Sequence, residues 1–190
     1  EMQDMHAEGG AVFTASNSID FGNNDGWTIS APGSRDVYWV GDDGDWSDPS
    51  HWSLTSGGSS GACIPTLNDN VYFDENSFSE GGQIVNVNIE AYFRDMDWSG
   101  SLNIPTLDGY GKLHIYGSLT FISEMNILYS QPIYFKSNNV GNAITCNGQT
   151  ILGSVYFEGL GGEWILQDEF SASGYIYLNK GALVTNDQTL

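Results

Sequence analysis

Asp42, Asp43, Asp45 and Asp48 place four carboxylates within seven residues. Hard oxygen donors at that density suit calcium, which takes roughly six to eight oxygens. The pattern is not an EF-hand, because Gly44 comes third in the series and no Glu stands at the twelfth place. Asp69, Asn70 and Asp74 would complete the set if the Gly/Ser-rich stretch 54–62 folds back. A calcium site and a plain solvated turn are both open to these residues. Trp39, Trp46 and Trp52, spaced by 7 and 6 residues among polar groups, raise a second chemistry. An exposed indole face matches the apolar face of a pyranose, the basis of glycan binding. The same three rings would equally make the small core of a cap closing one end of a solenoid, and that reading is preferred.

Other chemistries find less support. Asp95/Asp97 and Asp168/Glu169 are carboxylate pairs, and glycoside hydrolysis needs such a pair about 5–9.5 Å apart. With 24 acids in 190 residues, however, chance pairs are expected, and adjacent strand residues face opposite ways. A polysaccharide lyase needs a basic proton acceptor, and Arg35, Arg94, Lys112, Lys136 and Lys180 are scattered. His6, His51 and His114 are far apart, and His51, between Ser50 and Trp52, suits a structural hydrogen bond. No nucleophile-elbow, phosphate-loop or zinc-protease motif occurs. The expectation is a protein that is not an enzyme.

The elements that position these residues must come from a chain with 40% hydrophobic and 13% aromatic residues, ample for a core. Its net charge is −19, with fourteen Asp/Glu against Arg35 alone in residues 1–80 and ten against four cations in 81–190. Such a surface is a poor partner for nucleic acid, whose binding rests on clustered Lys and Arg, but it attracts divalent cations. Cys63 and Cys146, 83 residues apart, fit neither a Cys-x-x-Cys nor a zinc pattern. They are either a disulfide of an exported protein or two unpaired small apolar residues. No apolar run approaches the ~20 residues of a membrane span, so no membrane insertion of this segment is expected. The chain stops at Asp187-Gln188-Thr189-Leu190 on what resembles the middle of a repeat, and the expectation is a segment excised from a longer exported protein.

Ile115-Tyr116-Gly117, Ile133-Tyr134-Phe135, Val155-Tyr156-Phe157 and Ile176-Tyr177-Leu178 are similar tripeptides with tyrosines 18, 22 and 21 residues apart. A recurrence of that length signals a solenoid with one coil per repeat, in which Tyr116, Tyr134, Tyr156 and Tyr177 form a ladder. A second echo pairs Asn147 with Asn186, 39 residues on, close to two coils. Asn-Gly and Asn-Asp favour a left-handed backbone, so both mark equivalent corners. Short apolar runs, among them 71–73, 84–89, 113–116, 119–122, 133–135, 143–145, 164–166, 175–178 and 183–185, read as strands separated by Gly, Asn, Ser and Asp. Helix periodicity is absent.

The run Val37-Tyr38-Trp39-Val40-Gly41, Gly44-Asp45-Trp46, His51-Trp52-Ser53, Cys63-Ile64-Pro65-Thr66 and Asn68-Asp69-Asn70-Val71-Tyr72-Phe73-Asp74 resembles a recurring unit of very large surface proteins of Bacteroidota-type bacteria. It is also similar to the start of passenger repeats in autotransporter adhesins. The likeness covers residues 17–78 by motif and the remainder by repeat style, and the loop Asp42-Asp43-Gly44-Asp45 is more acidic than the family pattern. The resemblance implies an all-β, right-handed parallel β-helix, secreted to the bacterial cell surface, often by type IX secretion. The expected organisation is the end of a preceding repeat or small cap over 1–31, an acidic Trp-rich cap or junction over 32–82, and parallel coils over 83–190. The function implied is a stalk or adhesin that displays a binding surface, with an extracellular surface or glycan ligand and further repeats of the parent chain as partners. The alternative is a carbohydrate-binding module using exposed tryptophans, calcium-assisted.

Overall fold

Backbone donors and acceptors in short β-branched runs must be paired somewhere, and this chain pairs them with the equivalent runs of the next coil. A computed structural model describes residues 2–16, 18, 20, 22–30 and 33–190. Asn17, Ile19 and Phe21 of the family-like run, Ala31 and Pro32 of the expected linker, and with them the expected 31/32 boundary, lie outside the described residues. The chain divides into two compact units, Glu1–Ser34 and Arg35–Leu190.

In the first unit, Phe13–Ala15 and Trp27–Ile29 pair in parallel, Phe13 opposite Trp27, and further parallel bridges join Met2 to Asp20 and His6 to Asp25. Asn23 and Asn24 tie the turns together by donating to the Asp4 carboxylate and to the Met2 carbonyl.

The second unit is a parallel β-solenoid, as the repeat predicts, with about five turns. Its coils pass through three rows of strands. Row A comprises Ala91–Phe93, Leu113–Ile115, Ile133–Phe135 and the leading parts of Val155–Leu166 and Ile176–Val184. Row B comprises Asp36–Trp39, Asn70–Tyr72, Met96–Asp97, Leu119–Thr120, Asn142–Thr145 and the trailing parts of the same two long strands. Row C comprises Gly44–Asp45, Ile84–Val87, Thr106–Gly109 and Asn126–Ile127, with Thr150–Ile151 and Ser171–Ala172 paired separately.

Parallel register puts like above like, so the inward residues form continuous apolar columns. Val37, Val71, Met96, Leu119, Ile144 and Leu166 lie in register along row B and are buried. Phe93, Ile115, Phe135 and Phe157 do the same along row A, the last two rings stacked at 5.0 Å and 10°. Their successor Leu178 is 53% exposed, because the strand Ile176–Val184 is covered on one side. At the corner entering row A, Gly111 leaves no room for a side chain, since a Cβ there would overlap the Ile89 carbonyl of the preceding coil. Asn147 and Asn186 do occupy left-handed corners, with φ of 48° and 52°.

The tyrosine ladder needs one correction. Row A aligns Leu113-His114-Ile115 with Ile133-Tyr134-Phe135, so His114, not Tyr116, is the neighbour of Tyr134. The coil between the two is 20 residues long rather than 18. Tyr116 falls just past the strand, half-buried, its phenol pKa raised by burial.

Candidate functional site

The acidic turn is placed where the first coil enters row C. Asp42 adopts a left-handed backbone, φ 70°, and its carboxylate accepts from the Ser79 backbone N–H at 2.7 Å and the Ser79 hydroxyl at 3.0 Å. These bonds, the backbone one foremost, hold its pKa below the ordinary value. The Asp43 carboxylate accepts from the Ile84 N–H, and Asp45 accepts from Asn86 Nδ2 at 2.6 Å. Asp48 caps the short turn Pro49–His51 by accepting from the Ser50 N–H at 2.8 Å, which likewise lowers its pKa.

Four acids close in sequence thus face four separate donors, and three of them fasten the turn to residues 79–86 of the following coil. The Asp69 and Asp74 carboxylates proposed to complete a calcium site are engaged elsewhere, and the Asn70 oxygen is buried. Asp69, 1% exposed, accepts from Arg35 Nε at 2.9 Å and Nη2 at 2.5 Å and from the Thr66 N–H and hydroxyl. Asn70 donates to Asp36 at 2.8 Å, and Asp74 accepts from the Asn76 N–H at 2.9 Å. Among the described residues no three acid, imidazole or thiol side chains are grouped so as to hold a metal ion.

The three tryptophans do converge, but inward. Trp39, Trp46 and Trp52 are 0%, 1% and 0% exposed. Trp52 meets Trp39 edge-on at 5.0 Å and Trp46 at 4.8 Å, and Trp39 packs on Phe73 at 6.0 Å. The cause is the strand Trp52–Ser53, which runs antiparallel to Asp36–Trp39 and folds its indole over the first coil. Trp52 Nε1 donates to the Trp46 carbonyl and Trp39 Nε1 to the Asp42 carbonyl, each at 2.9 Å. No indole face is left for a sugar, so the glycan-platform reading of these residues is corrected to a core. His51 stacks on Trp39 at 4.9 Å with Nδ1 at 3.1 Å from the Val40 carbonyl, the structural role its sequence position suggests.

Cys63 is exposed and Cys146 buried, both as free thiols, so the disulfide reading is also corrected. Cys146 lies in register beyond Phe121 on the inner side of row B, where burial foremost and the nearby Asp168 push its thiol up to about 12. Asp168 in turn accepts from the backbone N–H groups of Cys146 and Asn147. Asp95 accepts from the Ser118 N–H at 2.7 Å and pairs with Arg94 at 3.1 Å, whereas Asp97 accepts from the Ser99 N–H at 2.8 Å. An open concavity of about 380 Å³ is lined by Ser53, Leu54, Thr55, Ser59, Gly61 and Ala62, without a titratable side chain.

On the outer side of row A the expected ladder holds for Tyr134, Tyr156 and Tyr177, and sequence reasoning missed Tyr92 and His114. Tyr92, His114, Tyr134, Tyr156 and Tyr177 form one column of near-parallel rings, with successive centroids 4.6, 5.1, 4.8 and 4.7 Å apart. Lys112 and Lys136 hold their ammonium groups 6.0 and 5.4 Å from the Tyr134 ring centre. Glu90 accepts from the Tyr92 hydroxyl at 2.8 Å and lies 3.6 Å from Lys112 Nζ; the tyrosine bond foremost lowers its pKa. The available signal was the central residue of each apolar-x-apolar triplet, Ala91-Tyr92-Phe93 and Leu113-His114-Ile115 included. Comparison with protein-family models, with curated proteins and with solved structures finds no match to this chain.

Proposed function

We propose that the chain is a non-enzymatic segment of a secreted bacterial surface protein, a solenoid stalk of the Bacteroidota or autotransporter adhesin type that displays a binding surface. Its work is mechanical. Each coil donates backbone hydrogen bonds to its neighbours, inner columns exclude water, and force along the axis is shared among the rows. The observation that supports this reading is the use made of the reactive side chains. Asp42, Asp43, Asp45, Asp69, Asp95 and Asp168 each accept from a residue at least three and mostly more than twenty positions away, so their charge secures coils rather than facing a cleft. Further coils of the parent chain would cover the apolar edge of Ile176–Val184, and the outward partner would be an extracellular surface or its glycans.

The test is adhesion without turnover. Beads coated with the chain are expected to hold to an extracellular surface or glycan array more strongly than beads coated with the denatured chain. Incubation with a panel of plant, algal and animal polysaccharides is expected to release neither reducing ends nor unsaturated products. Product release that grows with protein concentration, or adhesion equal to that of the denatured chain, would overturn the reading.

A further inference from the structure

His114 interrupts a column that is otherwise tyrosine. Its imidazole is 6% exposed and sandwiched between Tyr92, at 4.6 Å and 8°, and Tyr134, at 5.1 Å and 17°. Neither ring nitrogen makes a hydrogen bond. Nε2 stands 3.5 Å from a Glu90 carboxylate oxygen that already accepts from the Tyr92 hydroxyl at 2.8 Å. Buried polar nitrogens are nearly always paired, so an imidazole with both unpaired calls for an explanation. Packing does not require it, because phenol rings occupy the equivalent positions of the neighbouring coils.

The surroundings decide what a proton would do here. The preceding coil contributes Glu90 and Tyr92, the ring's own coil contributes Lys112, and the following coil contributes Tyr134 and Lys136. At the far end of the preceding strand, Arg94 and Asp95 are paired with each other at 3.1 Å. Both lysines oppose a positive charge on the imidazole, so the neutral ring is accommodated and an imidazolium is repelled. Burial foremost, then Lys136, holds the His114 pKa below the ordinary imidazole value, with Glu90 opposing.

We propose that His114 makes this face of the solenoid acid-responsive: protonation sets a third cation beside Lys112 and Lys136, breaks the ring column and turns the imidazolium onto Glu90, loosening the three strands Ala91–Phe93, Leu113–Ile115 and Ile133–Phe135. The proton comes from solvent and no bond to carbon changes. The inference rests on the stacked coils alone and stands apart from any adhesive role. Because the folded-state pKa is lowered, stability is intact above the unfolded value of about 6.5. It falls as pH drops from there toward the folded pKa, where the unfolded chain takes up the proton first. The carboxylates held low, Asp42, Asp48, Asp69 and Glu90, act in a separate window below about pH 4.

The experiment is an NMR titration of the His114 imidazole in the whole chain, alongside thermal midpoints of the wild type and His114→Tyr between pH 8 and pH 5. His114 is expected to titrate below the ordinary imidazole value. The midpoint of His114→Tyr is expected to gain on the wild type by about 2–4 °C as pH falls through that window. His114→Phe, which keeps a ring in the column, replaces the tyrosine variant if that fails to fold, and the titration decides alone if both do. Titration of His114 at or above the ordinary value, or a midpoint gap independent of pH, would overturn the proposal.

Discussion

Phe157→Ala is the sharpest probe of the stacked columns, and Leu178→Ala is its internal control. Phe157 is 0% exposed and lies 5.0 Å from Phe135, 5.2 Å from Trp164 and 6.4 Å from Phe170. Removing a fully buried phenyl ring forfeits its transfer free energy and leaves a cavity, about 3–5 kcal/mol together. Leu178 is the next residue in the same column but 53% exposed. A buried Leu→Ala costs about 2–5 kcal/mol, and half exposure reduces it to about 1–2 kcal/mol. For a chain of this length the two changes correspond to falls of roughly 6–20 °C and 2–8 °C in thermal midpoint. Urea unfolding followed by tryptophan fluorescence, to which the adjacent Trp164 contributes, and by circular dichroism would give both values. The two signals must coincide, because a repeat array can lose cooperativity. A loss below about 1 kcal/mol at Phe157, or equal losses at the two positions, would refute the column.

Gly111→Ala is expected to cost about 3 kcal/mol or more, at the top of the overpacking range, because the methyl group would meet the Ile89 carbonyl. Gly161→Ala, with φ of 79° but open space around it, should cost only the backbone strain of about 1–2 kcal/mol, and denaturant midpoints separate the two. Burial pushes the Asp69 pKa upward, but the Arg35 fork and the Thr66 donors outweigh it and hold the carboxylate below its ordinary value. Its stabilisation is therefore complete above about pH 4 and lost as pH falls below it. Because the Arg35 side chain keeps 35% exposure, Asp69→Asn should cost about 2–3 kcal/mol at pH 7 and remove that step from the acid unfolding curve. Millimolar calcium added after chelation should shift the thermal midpoint by less than about 1 °C; a rise of several degrees would mean that Asp42, Asp43, Asp45 and Asp48 bind an ion rather than fasten coils.

The fold was legible because the inner columns repeat residue types that have one physical use. Ile133, Val155 and Ile176, each two places before an apolar partner, can be buried only if the next coil covers them. Row C was less legible. Asn126–Ile127, Thr150–Ile151 and Ser171–Ala172 are two-residue strands, too short to show a period of two, and each is held by pairing with one neighbouring coil. Met96–Asp97 carries a single apolar residue between Asp95 and Asp97 and gave equally little local signal.

The functional residues were harder to read for a related reason. Tyr116 matched its family of tripeptides by type, yet the coil's register is set by the buried residues on either side of the ladder position, Leu113 and Ile115. A two-residue slip preserves the facing of side chains in a strand, so alternation alone could not reveal it. The acids of the first coil were misleading in the opposite sense. Their spacing suggests a shared ligand, but a solenoid offers every corner unpaired N–H groups from the adjacent coil, and Asp42 and Asp43 accept those from Ser79 and Ile84. Carboxylates gathered at this corner are drawn apart because their donors, Ser79, Ile84 and Asn86, are spread along the following coil. Converging them on one cation would require surrendering those bonds, which is why the calcium titration tests the stacking of the coils as directly as it tests the metal.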